Sequence, residues 1–80
     1  MDIQIITPDK TLFNGTAKLA QFPGLDGSFE VMKRHAPMIA ALKGGQIRLV
    51  LDKDNDEEKL FDIKSGVVEV LNNKMLVLAE

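Results

Sequence analysis

The chain has 80 residues, 45% of them hydrophobic, no cysteine, and a formal net charge of −2 at pH 7. That length argues for one domain spanning 1–80, the apolar content argues for a packed core, and the cysteine count excludes disulfides and thiolate zinc sites. The acidic balance gives no electrostatic case for nucleic acid, no apolar run approaches the ~18 residues of a transmembrane helix, and Met1-Asp2-Ile3-Gln4 lacks the basic start of a secretory signal, which together point to the cytoplasm or the cytoplasmic side of something larger.

In chain order, Ile3 to Thr7 is a β-branched run that stops at the turn signal Pro8-Asp9. Thr11-Leu12-Phe13 resumes and meets Asn14-Gly15, a favoured hairpin dipeptide, so a turn is expected there. Thr16 to Phe22 continues as a strand and Pro23-Gly24 ends it. Asp26-Gly27 is a further tight turn before Ser28 to Met32. Met38 to Leu42 has some helical propensity, but Gly44-Gly45 leaves too little length for a stable helix, so it is expected to be extended. Gln46 to Leu51 alternates, with Ile47, Leu49 and Leu51 on one face. After the charged connection from Asp52 to Lys59, strands follow at Leu60 to Ile63, Val67 to Leu71 and Met75 to Ala79, with a turn at Asn72-Asn73. Turn signals at this spacing predict an all-β fold, a β-sandwich of two antiparallel sheets.

The strands Val67 to Leu71 and Met75 to Ala79 are apolar on both faces, as is part of Ile3 to Ile6. A half-exposed antiparallel sheet should alternate, and so small a domain cannot cover both faces of both sheets itself. Either scattered apolar side chains remain on the surface or a partner covers them.

Catalytic chemistry is poorly represented. There is no phosphate loop and no GxGxxG after a strand. Ser28, His35 and Asp26 supply the residue types of a triad, but no strand-to-helix elbow aims a nucleophile. Asp52-Lys53-Asp54-Asn55-Asp56 begins like a calcium loop, yet the positions that need Gly and a bidentate Glu hold Glu57 and Ile63. A solvated hairpin tip is the simpler reading. Glu30-Val31-Met32-Lys33 has a short likeness to the lysine turn of biotinyl and lipoyl carrier domains, which would make Lys33 an attachment site. Neither an enzyme activity nor a cofactor or metal site is expected.

The densest segment is Gly24-Leu25-Asp26-Gly27-Ser28-Phe29-Glu30-Val31, followed by His35-Ala36-Pro37-Met38-Ile39-Ala40-Ala41-Leu42-Lys43 and Gly45-Gln46-Ile47-Arg48. It resembles the epsilon subunit of F-type ATP synthases, whose pattern includes a Gly-rich turn, H-A-P and then K-x-G-x-[IVL]-R. Ile5-Ile6-Thr7-Pro8, Ser65-Gly66-Val67-Val68-Glu69-Val70 and Val77-Leu78-Ala79-Glu80 extend the resemblance over the whole chain. It departs from the pattern at Glu30, where a glycine is usual, and at Lys33-Arg34, where Pro-Gly precedes the histidine.

The resemblance implies a non-catalytic rotor subunit in a hetero-oligomeric complex. Such a subunit docks the gamma subunit onto the polar loops of the membrane c-ring and couples ion flow to ATP synthesis. It would sit peripherally on the cytoplasmic side of the bacterial inner membrane without inserting. Leu25, Asp26, Gly27 and Ser28 would face the ring, and His35, Ala36, Pro37, Met38 and Ala40 would lie at the gamma contact. Members often carry a carboxylate where this chain has Ser28, so pairing with the ring would fall to Asp26 or Glu30. Most members continue into two C-terminal helices that can restrain ATP hydrolysis. The sequence here stops at Glu80; if that is the whole subunit, the resemblance implies a short form that couples without such a latch.

Overall fold

The computed structural model describes residues 1–52 and 55–80. Eight strands follow one another: β1 (Asp2–Ile6), β2 (Thr11–Gly24), β3 (Gly27–Met32), β4 (Met38–Leu42), β5 (Gly45–Leu51), β6 (Glu58–Ile63), β7 (Gly66–Leu71) and β8 (Lys74–Ala79). No helix occurs among the described residues. The extended reading of Met38 to Leu42 is therefore correct, as is the all-β class.

The two layers of the sandwich are halves of one hydrogen-bonded sheet, ordered β1-β8-β7-β4-β2-β5-β6, with β3 added beside β2. The long strand β2 belongs to both halves. Its first part pairs with β1 and its second with β3 and β5. Two sequence expectations are corrected here. Asn14-Gly15 is not a turn: Asn14 pairs with Gln4 and Gly15 with Ile3, inside an uninterrupted β2. Nor is every pair antiparallel, since β1 runs parallel to β8. A dipeptide's turn preference is worth little against a ladder of backbone hydrogen bonds on a neighbouring strand.

β2 turns from one layer to the other at Lys18. Its register against β5 shifts between Ala17 and Leu19. Ala17 and Ala20 are both fully buried although three positions apart, while Lys18 is exposed and Leu19 only half-buried. One extra residue is what a bulge inserts, and it bends the strand while keeping apolar side chains inward on both sides of the bend. Lys18 reaches Asp56 on the β5–β6 connection as an exposed ion pair. Such pairs contribute little, so Lys18→Ala is expected to cost under about 1 kcal/mol in a urea melt. The bend is held by burial of Ala17 and Ala20, not by this charge.

The core lies between the layers. From one come Ile3, Ile5, Val68, Val70, Met75 and Val77; from the other come Phe22, Val31, Ile47 and Leu49. Each alternates along its strand with an outward residue, the period-2 consequence of the pleat. Phe22 and Phe29 sit with ring centroids 5.5 Å apart. Phe13 and Phe61 meet edge to face at 5.9 Å, joining the first half of β2 to β6. The β7–β8 connection is the tight turn expected at Asn72-Asn73, with both residues at positive φ (52° and 61°), as a type I′ hairpin requires.

Candidate functional site

The loops gather at two places. At one, the β2–β3 turn meets the β4–β5 turn: the Leu25 N–H donates to the Ala41 carbonyl (3.2 Å) and the Lys43 N–H to the Pro23 carbonyl (2.9 Å). The β6–β7 turn lies alongside, because a Cβ on Gly44 would come within 3.2 Å of the Lys64 carbonyl oxygen. The Lys64 N–H in turn donates to the Glu80 carbonyl at 2.7 Å. At the other place, the β3–β4 loop meets the β7–β8 turn. The Arg34 N–H donates to Asn73 Oδ1 (3.1 Å), and the Asp2 N–H to the Asn73 carbonyl (3.1 Å).

The ring-facing candidates Leu25, Asp26, Gly27 and Ser28 are all exposed and together form the β2–β3 turn and its flank. The gamma-contact candidates begin in the other cluster, where His35, Ala36 and Pro37 are exposed, and run into β4. Thus the two groups start at different loop clusters and β4 carries the second toward the first. They approach each other at an open cleft of about 360 Å³ lined by residues that include Leu25, Phe29, Met38 and Ile39.

Within β4 the structure shows which side chains face outward. Met38 and Ala40 pack against the core, whereas Ile39 between them is 71% exposed. Met38 and Ala40 therefore support β4 from inside, and Ile39 is the side chain it presents. Sequence reading named the strand but not that residue.

Ile39 belongs to a wider surface, the outer face of β1, β8, β7 and β4. Pairing registers set its rows. Across the row nearest the β7–β8 turn come Thr16, Asp2, Lys74 and Leu71. The next row holds Asn14, Gln4, Leu76, Glu69 and Ile39. The row beyond it holds Ile6, Leu78, Val67 and Ala41. The face is thus graded from polar to apolar, and Ile39, Val67, Leu71 and Leu78 are exposed large hydrophobics on it. The two-faced apolar character of β7 and β8 was the sequence signal for this surface.

The outer face of the other layer is organised differently. Arg48 there donates through Nε to Gln21 Oε1 at 3.0 Å and lies 3.7 Å from Glu30 and 3.4 Å from Glu58. Its charge is spent within the fold. Glu30 is consequently engaged with Arg48, which leaves Asp26 as the carboxylate of the β2–β3 turn.

Ser28 and His35 are not brought together as a nucleophile and base. Ser28 lies on β3 beside the β2–β3 turn, and His35 is in the loop at the far end of that strand, its Nδ1 2.7 Å from the Ala36 carbonyl. No metal-binding cluster of His, Asp and Glu occurs among the described residues. Lys53 and Asp54 of the calcium-like stretch lie outside them. Among the described residues no helix is long and apolar enough to cross a membrane.

A family model for the ATP synthase delta/epsilon chain β-sandwich domain matches residues 1–80. The epsilon chain of Chlorobium limicola ATP synthase is 47% identical over 79 residues, covering 98% of this chain and 86% of the relative. The epsilon chain of Salinibacter ruber is 40% identical over 87 aligned positions, covering all of this chain and 58% of the relative. Among solved structures, a chain of the Tetrahymena thermophila mitochondrial ATP synthase central stalk and c-ring superposes with a TM-score of 0.83 at 16% identity. That match covers 99% of this chain and 62% of the other and speaks for the fold.

Proposed function

The chain belongs to the ATP synthase delta/epsilon family, as an epsilon subunit and not a catalytic one, and from that membership we propose that it docks the gamma subunit onto the c-ring and passes torque between them. The observation that carries the proposal is the graded outer face of β1, β8, β7 and β4. Ile39, Val67 and Leu78 are apolar, exposed and neighbouring, on a face turned away from the core. An apolar patch of that kind on a small domain is suited to a protein partner. Gamma would cover this face, with His35, Ala36 and Pro37 at its margin. Leu25, Asp26, Gly27 and Ser28 would meet the polar loops of the c-ring, with Asp26 supplying the charge.

The mechanical part follows from packing. Torque is lost if the coupling element deforms. A close-packed core between two layers that share a strand resists deformation, because any shear must break ladder hydrogen bonds or open voids. Pro37 fixes its own φ and holds Ala36 extended, which stiffens the entry to β4. Bound in this way, the subunit would be peripheral to the membrane on the cytoplasmic side of a bacterial cell. The carrier-domain reading of Lys33 has no support from the family match, which runs over the whole chain.

The test is the binding of purified gamma to the wild-type chain and to Ile39→Glu. Ile39 is exposed, so the variant should fold normally, but a carboxylate buried unpaired in the contact should weaken binding by about 2 kcal/mol or more, roughly thirtyfold. A folded variant that binds gamma as tightly as the parent would overturn the assignment of this face.

A further inference from the structure

We propose that the β3–β4 loop is a cationic clamp, in which Lys33 and Arg34, beside His35, receive an acidic segment of the protein that covers the adjoining apolar face. The proposal rests on the docking reading above and adds to it the chemistry of the partner's contact.

Three observations meet at this loop. The first is charge. A chain of net charge −2 places two cations and its only histidine in consecutive positions, all exposed. Elsewhere Lys18, Arg48 and Lys59 are each within ion-pair distance of a carboxylate of the same chain. Lys33 and Arg34 have no such partner among the described residues; neither do Lys10, Lys43, Lys64 and Lys74, but each of those stands apart from other cations in the sequence, whereas these two are adjacent.

The second observation is that the loop is held in one shape. Arg34 adopts φ 62°, a conformation that costs a non-glycine residue energy, and its N–H is bonded to Asn73 Oδ1. The His35 N–H donates to the Met32 carbonyl at 3.2 Å, and the ring Nδ1 lies 2.7 Å from the Ala36 carbonyl. A carbonyl can only accept, so Nδ1 carries the proton and the bond fixes the ring against the backbone beside the two cations. A loop tied at Arg34 and His35 loses little entropy when it binds, so its charges are presented in advance.

The third is position. Two residues past Pro37 the chain presents Ile39, the most exposed of the large hydrophobics on the apolar face. A partner seated on Ile39, Val67 and Leu78 and covering the face as far as Leu71, next to the β7–β8 turn, would have its edge beside this loop. Interfaces combine an apolar centre with a polar rim, and a rim of unpaired cations is matched by carboxylates. An acidic protein segment therefore fits better than an anionic membrane surface, which would need a flat cationic face and not a short loop bordering an apolar sheet.

The experiment measures association of the full chain with purified gamma by surface plasmon resonance at about 50 mM and 300 mM salt, where screening differs strongly. The variants are the double charge reversal Lys33→Glu with Arg34→Glu, the neutral pair Lys33→Ala with Arg34→Asn (asparagine tolerates the left-handed backbone at 34), and Ile39→Glu. Thermal melts establish that each is folded. The charge reversal is expected to slow association about tenfold at low salt and to flatten its salt dependence, with dissociation little changed. The neutral pair should lie between. Ile39→Glu should speed dissociation at both salt concentrations and keep the salt dependence.

If Ile39→Glu weakens binding while both loop variants associate like the parent, the clamp is wrong and the docking face stands. If no variant has an effect, both fail. A parallel measurement on vesicles of phosphatidylglycerol and phosphatidylcholine tests the membrane. Binding there that needs Lys33 and Arg34, with no effect of these residues on gamma, would also overturn the clamp.

Discussion

Phe22→Ala is expected to remove about 3–5 kcal/mol of stability, the usual cost of deleting a fully buried phenylalanine. Phe22 has no solvent exposure and lies against Phe29 at 5.5 Å. It also sits on the shared strand β2, paired with Phe29 across β3. Truncation leaves a cavity with rigid walls on two strands, so little of the lost contact can be recovered by collapse. A domain of this length has a total stability of roughly 4–12 kcal/mol, so the loss takes a large share of it. At about 4–8 °C per kcal/mol, the melting temperature should fall by 12 °C or more, and part of the population should be unfolded at growth temperature. A urea melt showing a loss below about 1 kcal/mol would mean that this part of the core is not packed as described.

Gly24→Val is expected to be almost as damaging, by the opposite route. A Cβ at position 24 would lie 2.6 Å from the Gly27 carbonyl oxygen and 2.9 Å from two atoms of the Phe29 ring. The first of these is backbone and cannot turn aside. Gly24 pairs with Gly27 on one side and with Leu42 on the other, so the clash falls where the β2–β3 turn is attached to β4. Relieving it requires the turn to open, which breaks the bond from the Leu25 N–H to the Ala41 carbonyl. Overpacking of this kind costs about 1–3 kcal/mol, and valine at a backbone contact belongs at the upper end. Hydrogen exchange should quicken at the Leu25 and Lys43 amides before the rest of the sheet. Because the turn carries Leu25, Asp26, Gly27 and Ser28, the residues proposed to meet the c-ring, that proposal expects ring binding to be lost more steeply than gamma binding. Unchanged protection at both amides would show that the close approach at Gly24 does not constrain the turn.

These two positions mark the difference between what could be read in advance and what could not. Pro23-Gly24 was legible as punctuation, but not the reason that no side chain fits at 24, which depends on the Phe29 ring and the Gly27 carbonyl lying across the pair. The β4 segment shows the same division for the candidate site. H-A-P followed by Met-Ile-Ala-Ala-Leu identified the strand and its place in the family. It did not say which alternate residues face out, because all five are apolar and a one-residue change of register exchanges the faces. Pairing of Ile39 with Glu69 and of Ala40 with Val68 decides it.

The sequence by itself determined the all-β class, the places of most strands to within a residue or two, and the turn at Asn72-Asn73. It also determined the family, since these rest on local alternation, turn chemistry and a contiguous motif. Only the tertiary structure decided that Asn14-Gly15 stays within a strand, that β1 runs parallel to β8, and that Ile39, Val67 and Leu78 share one exposed face. Each of those depends on which distant strand supplies the hydrogen bonds and at what register. That choice is made by burial of the whole core at once, and no short stretch of sequence contains it.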